Sequence, residues 1–298
     1  IDGGGSKTTV LVADAAGQVI GRCDAGGSNY QTVGLPQALA TLDDAIDRAL
    51  DAAGADRSRI AAVGLGLAGV DRPEDQRLFN EWLHHALPGI PAQIVNDAQL
   101  LLAAGTPDGY GVALICGTGA NCVGRNQAGT MIRVDGWGHV LGDAGSGHFI
   151  GRRALQAVMR AFDGRLPSTQ LTEMILGHWQ LSSPEGLIPR IYQDEASPTE
   201  IAALARLVDA AATQGDAVAL AILQEATGQL ALSVATVVRR LKLEGAIPCA
   251  LGGGVITRGQ HIYDAFLAAI ENEGITLAPV TKVFDPVHGA LRLAAALC

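Results

Sequence analysis

Five short stretches of the sequence carry groups that could do chemistry. The first is Asp2-Gly3-Gly4-Gly5-Ser6-Lys7-Thr8, a carboxylate, three glycines, a hydroxyl and an amine in direct succession. Glycine has no Cβ and enters positive φ cheaply, so three in a row let backbone N–H groups close around an anion. A tight hairpin turn would use the same residues. The stretches CGTGANC (Cys116 to Cys122) and LGGGV (Leu251 to Val255) repeat the small-residue pattern. In the fourth, Asn96-Asp97-Ala98, the aspartate follows the apolar run AQIV. A buried strand there delivers a carboxylate to the carboxyl edge of a sheet, where open α/β sheets bind ligands and where it could take a proton. Asp97 could instead cap a helix beginning at Ala98. The fifth, GWGHVLGDAGSG (Gly136 to Gly147), sets an indole and a carboxylate among glycines.

These residues must be held by regular elements, and the patterning supplies them. The run Thr8 to Asp24 reads as two strands joined at Ala15, Ala16 and Gly17. A helix follows, with apolar residues at helical spacing and a stop at Gly54. Then come a buried strand in IAAVGLGLAGV, an amphipathic helix in PEDQRLFNEWLHHAL, and a strand, turn and helix in PAQIVNDAQLLLAAG. The second half opens by repeating the first: Ile1, Gly3 and Gly5 match Ile115, Gly117 and Gly119, and Gly17 matches Gly129. Such self-similarity predicts duplicated domains, here 1–106 and 107–298. A mostly helical stretch from Gly147 to about Leu243 interrupts the second copy; a third strand then runs into Gly252, Gly253 and Gly254, and PVHGALRLAAAL closes the chain as a helix. The loops match neither a dinucleotide GxGxxG opening a helix nor GxxxxGK[ST].

Composition narrows the function. Of 298 residues 48% are hydrophobic and 17% charged, which excludes a disordered chain, and a net charge of −9 argues against nucleic acid or an anionic membrane as partner. No uninterrupted apolar run near 18 residues is visible, and the N-terminal residues lack the order of a signal peptide, so a cytoplasmic protein is expected. The chain starts at Ile inside a strand pattern, so a few residues are expected upstream. The five cysteines form no CxxC pair and are expected to be reduced and mostly buried.

With two hairpin loops in duplicated halves and a third glycine loop, the sequence resembles the ATPases that share a fold with actin, hexokinase and the heat-shock chaperones. More narrowly, DGGGSKT, GLAG, NDA, CGTGANC, GWGHVLGDAGSG and LGGGV, in that order along nearly the full chain, resemble the BadF/BadG-type ATPase family and, within it, N-acetylglucosamine kinases. The resemblance implies an α/β fold of two duplicated actin-like (ribonuclease H-like) domains with a ligand cleft between them. It also implies ATP and Mg²⁺ as cofactors and transfer of phosphate to the 6-hydroxyl of an amino sugar. The implied nucleotide residues are Asp2, Gly4, Gly5, Ser6, Lys7 and Thr8 in the first loop, Gly117, Thr118 and Gly119 in the second, and Gly252, Gly253 and Gly254 against the adenosine. Asp2 would hold Mg²⁺ through water, Asp97 would be the catalytic base, and the sugar would meet Asn29, Asn96, Asp97, Ala120, Asn121, Gly136, Trp137 and Asp143.

Several side chains have a plainer reading. Lys7 could contact phosphate or point to solvent, Asn29 could be a turn residue, Trp137 could lie in the core, and Asp143 could join Ser146 in capping a helix. His139 and His148 read as structural. Glucosamine or N-acetylmuramic acid could replace N-acetylglucosamine as substrate, and a homodimer is possible. An ATPase that activates 2-hydroxyacyl-CoA dehydratases would share the phosphate loops, but it would need paired cysteines for an iron–sulfur cluster across a dimer interface.

Overall fold

The computed structural model describes residues 1–5, 7–70 and 72–298. Two compact units emerge, one of residues 1–110 with 285–298 and one of residues 111–284.

In the first unit the β-branched run TTVLVA forms β2 (Thr8–Ala13), which pairs antiparallel with β1 (Asp2–Gly3) and β3 (Val19–Ala25). β4 (Val63–Leu67) and β5 (Ala92–Val95) add in parallel, giving the order β3-β2-β1-β4-β5. The helix Leu35–Ala53 lays Leu42, Ala45, Ile46, Ala49 and Leu50 into the core and stops at left-handed Gly54. Of the three parallel strands, β1 carries Asp2 and β5 leads into Asn96 and Asp97, so the carboxyl edge of the sheet collects polar residues that the sequence singles out.

The second unit repeats the same path. β6 (Gly111–Cys116), β7 (Ala120–Arg125) and β8 (Met131–Asp135) form an antiparallel meander, and β9 (Ala246–Gly252) and β10 (Thr276–Lys282) add in parallel beside β6. Read from β8, the order is β8-β7-β6-β9-β10, the first sheet's order with the same strand directions. The internal repeat is therefore a duplication of topology. Among the described residues one helix, Ala217–Leu241, is long and apolar enough to cross a membrane; here it buries Leu223, Leu230, Val234 and Val237 inside the second unit, and Val237 sits where a Cβ on Gly124 of β7 would be.

The structure departs from the expected halves at the chain's end. The closing helix Val287–Ala295 belongs to the first unit, so residues 285–298 do not stay with the domain expected to span 107–298. The cause is close packing. Val287 and Ala290 are buried in one apolar cluster with Leu11, Val95 and Leu100, and Gly289 lies against the Leu100 carbonyl so closely that a Cβ would collide with it. The sequence pattern also misses β10 and the helix Gln260–Asn272. β10 contains Pro279 and half-exposed residues, which weaken a strand pattern.

Candidate active site

The first loop is braced from behind. Gly4 N–H donates to the Lys7 carbonyl at 2.8 Å, and the N–H groups of Ser28 and Asn29 donate to the Gly4 carbonyl at 3.0 and 3.1 Å. A Cβ at Gly3 would meet Ser28 and Leu67, so only glycine allows this approach, while Gly5 is exposed with open space around it. Thr8 is fully buried and its hydroxyl donates to Ser28 Oγ at 2.8 Å; it braces the loop instead of facing a ligand. Lys7 Nζ lies 3.1 Å from Asp24 Oδ1 in an exposed ion pair, so its side chain points to neither of the expected places alone. Ser6 lies outside the described residues.

Three carboxylates of the first unit interact electrostatically. Asp2 is pushed up to about 6, by burial first, and the charges of Asp97 and Asp285 add to the rise. Asp285 also accepts from Arg22 Nη1 at 2.5 Å. A single carboxylate such as Asp2 is enough for Mg²⁺, which binds through one or two carboxylates and keeps several waters.

At the end of β5 the helix Asp97–Gly105 is capped by buried Asn96, whose Oδ1 accepts from Ala98 N–H at 2.9 Å. Asp97 is the first helical residue and its Oδ1 reaches the same N–H at 2.8 Å. The cap is thus Asn96, and Asp97 is half-buried on the turn beside Asp2. Asn29 is also a cap, its Oδ1 accepting from Gln31 N–H at 3.0 Å at the start of the helix Tyr30–Val33.

In the second unit the loop between β6 and β7 is closed by Gly117 N–H donating to the Gly119 carbonyl at 2.9 Å. The helix Gly147–Phe162, capped by Ser146, points its first N–H groups at that loop: Gly147 donates to the Gly117 carbonyl at 2.8 Å and His148 to the Thr118 carbonyl at 3.1 Å. The carbonyls are thereby held, and Thr118 itself is exposed. Gly253, at φ 88°, packs so closely on the Cys116–Gly117 peptide that no Cβ would fit. Gly252 ends β9 and exposed Gly254 opens the next short helix, so the second and third glycine loops form one surface.

Beside them runs the segment after β8, and its organiser is a residue that the sequence reading did not single out. Asp135, at φ 66°, accepts from Gly136 N–H and Asp143 N–H through Oδ1, both at 2.8 Å, and from Ala144 N–H through Oδ2 at 2.9 Å. An Asp-Gly pair at a strand end was the available signal, because Asp bonds readily to nearby backbone N–H groups. Asp143, at φ 55°, accepts from Gly138 N–H at 3.3 Å and lies where a Cβ on Gly119 would be. Its carboxyl is held above the usual range, by burial first and by Asp135 as well. Ser146 alone caps the helix. Buried Ala120 opens β7, and next to it Asn121 has its Oδ1 buried without a hydrogen-bond partner among the described residues, under Gly136. Trp137 is 61% exposed beneath the Arg133 guanidinium, which removes the core reading. The rings of His139 and His148 lie 4.7 Å apart, and His148 is held below the usual imidazole range by burial, with His139 and Arg152 adding to the fall. The described residues include no group of three or more His, Cys, Asp or Glu that could hold a metal. Four cysteines are buried and Cys298 is exposed.

Comparison with known proteins places these loops in a family context. Residues 1–294 match the profile of the BadF/BadG/BcrA/BcrD ATPase family. The chain is similar to an N-acetylmuramic acid/N-acetylglucosamine kinase of Clostridium acetobutylicum, 34% identical over 100% of this chain and 98% of that one. It is similar to an N-acetyl-D-glucosamine kinase of Dictyostelium discoideum, 34% identical over 99% of this chain and 96% of the other. Among solved structures it resembles a candidate N-acetylglucosamine kinase from Chromobacterium violaceum, with a TM-score of 0.75, 26% identity and coverage of 98% and 96%.

Proposed function

The chain belongs to the BadF/BadG/BcrA/BcrD ATPase family, with the duplicated actin-like fold, and on that premise we propose that it is an ATP-dependent kinase of amino sugars, acting on the 6-hydroxyl of N-acetylglucosamine. The observation that carries this reading is end-to-end similarity, at 34% identity, to two kinases named for N-acetylated amino sugars. The geometry of each unit supports it.

Phosphoryl transfer asks a protein for positioning, charge neutralisation and one group to take the acceptor's proton. Asp97 takes that proton as the 6-oxygen attacks the γ-phosphorus and the bond to the ADP oxygen breaks. Asn96, not Asp97, is the cap of the helix that Asp97 opens. Backbone N–H groups of Gly5 and Lys7 in the first unit and of Thr118 and Gly119 in the second hold phosphate, those of Gly4 and Gly117 being committed within their own loops, while Gly252, Gly253 and Gly254 give the adenosine a surface without side chains. Asp2 would hold Mg²⁺ through water, and the charge of Asp285 acts on Asp2. When bound, the cation would supply charge neutralisation for phosphoryl transfer.

Recognition of the sugar falls to a few polar groups and one aromatic face. Asn121 Oδ1 accepts from a sugar hydroxyl or acetamido N–H, which satisfies an otherwise unpaired buried oxygen. Asp143 accepts from hydroxyls, Asn29 contributes its carboxamide, and Trp137 offers an apolar face.

An ADP-release assay with N-acetylglucosamine, N-acetylmuramic acid, glucosamine and glucose tests the reading, with the phosphorylated position read by phosphorus NMR. N-acetylglucosamine should turn over fastest and carry its phosphate on O6. Rates no higher than the sugar-free background for all four, or phosphate on another hydroxyl, would sink it.

A further inference from the structure

The helix Gly147–Phe162 forms one wall of a cavity of about 610 Å³ whose other lining includes Leu187, Ile191 and Ile201. That volume suits a small organic ligand. Four arginines line it, Arg152, Arg153, Arg160 and Arg165, and no Asp or Glu does. In a chain of net charge −9, so many cations around one concavity make a local positive field against the overall charge. Arg153 is paired with Glu225 and lies over Phe149, yet its buried Nε finds no acceptor among the described residues. Arg165 is paired with Asp163. Among the described residues Arg152 and Arg160 form no ion pair.

The helix fixes where the charge lies. At 1.5 Å per residue, Arg160 stands roughly 20 Å along the axis from Gly147, whose N–H holds the phosphate-loop carbonyl. Past the helix end the chain turns back, with Arg165 N–H donating to the Arg160 carbonyl at 2.8 Å. Arg160 and Arg165 therefore share the end of the cavity far from the loops. An anion held there would be separate from any held by the Gly117–Gly119 loop.

We propose that this cavity binds a small organic anion, an oxyanion head on an apolar skeleton, with the head at Arg160 and Arg165 and the skeleton on Leu187, Ile191 and Ile201. Guanidinium forks suit carboxylate and phosphate alike, because both present paired oxygens. The inference stands apart from the kinase reading, since it uses none of the residues assigned to that reaction.

Calorimetric titration of the full chain with octanoate, hexyl phosphate, inorganic phosphate and 1-hexanol tests it, and the two amphiphilic anions distinguish a carboxylate from a phosphate head. At least one of them should bind about tenfold or more tightly than both inorganic phosphate and hexanol. The double variant Arg160→Gln/Arg165→Gln should lose about tenfold or more in that affinity, and Arg160→Lys/Arg165→Lys should fall between, because charge remains and the fork is gone. Ile191→Glu should abolish binding while the thermal midpoint of the free protein holds. No binding by either amphiphile, equal binding by inorganic phosphate, or unchanged affinity in the folded double variant would overturn the proposal.

Discussion

Asp2 keeps its proton to higher pH than a solvated aspartate, because burial and then the neighbouring carboxylates of Asp97 and Asp285 disfavour its charge. Its folded value of about 6 lies above the unfolded 3.8, so the stability it contributes is complete below the unfolded value and is lost as pH rises through about 6. Asp2→Asn should therefore stabilise the ligand-free chain at about pH 7.5, by at most roughly 3 kcal/mol. Mg²⁺ with a non-hydrolysable ATP analogue should raise the wild-type melting midpoint more at about pH 7.5 than at about pH 5, and Asp2→Asn should flatten that difference. A midpoint gain equal at both pH values in the wild type would take Asp2 out of the cation site. Asp135 makes a different demand. Its carboxylate satisfies three backbone N–H groups around the Gly136–Ala144 segment, and Asp135→Ala leaves all three without that acceptor. Each unsatisfied group costs about 1–3 kcal/mol if buried, so the sugar KM should rise about tenfold or more while the ATP KM stays within about twofold. Two-substrate kinetics check it; an ATP KM that rises in step would make Asp135 a general stability residue.

Asp97 is placed by three packed elements, and only two of them were legible in the sequence. The apolar run AQIV before Asp97 and the helical pattern after it were enough to expect a strand carrying a carboxylate to a sheet edge and a helix leading away from it. That the adjacent Asn96 would take the cap follows from either residue type being a good cap, so the choice between them needed coordinates. The third element, the helix Val287–Ala295, is distant in sequence, and its periodicity shows an amphipathic helix without showing which sheet it covers. Its contact glycine makes a sharp test. Gly289→Ala would drive a Cβ into the Leu100 carbonyl, and overpacking of this kind costs about 1–3 kcal/mol. Urea unfolding should show a lower midpoint for the first unit, and turnover should fall with the displaced Asp97 helix. A midpoint within error of wild type would mean that the helices separate easily. Asp135 and Thr8 mark the other limit: types and spacing show which residues can bond, while the partner chosen, a neighbouring backbone for one and Ser28 for the other, depends on the fold.

Duplication explains how one chain comes to have matched glycine loops, since both sheets run the same strand path and each places a glycine turn after its central strand. The copies are not equal in sequence continuity, because the first is completed by residues 285–298. Deleting those residues should uncover Leu11, Val95 and Leu100, so calorimetry should show the first unit's transition lowered or lost and the second unit's retained. Loss of both transitions together would show that the units do not unfold separately. The central claim, that this fold is an amino-sugar kinase with Asp97 as its base, is tested most directly by ADP release with N-acetylglucosamine in the wild type and in Asp97→Asn. Asn keeps an oxygen for the Ala98 N–H and leaves the Asn96 cap in place, so fold and nucleotide affinity should survive. Removal of a general base typically costs a hundred- to ten-thousand-fold, and the account predicts a fall in kcat of about two orders of magnitude or more with an ATP-analogue Kd within about twofold. Near-normal turnover by the folded Asp97→Asn protein would contradict it.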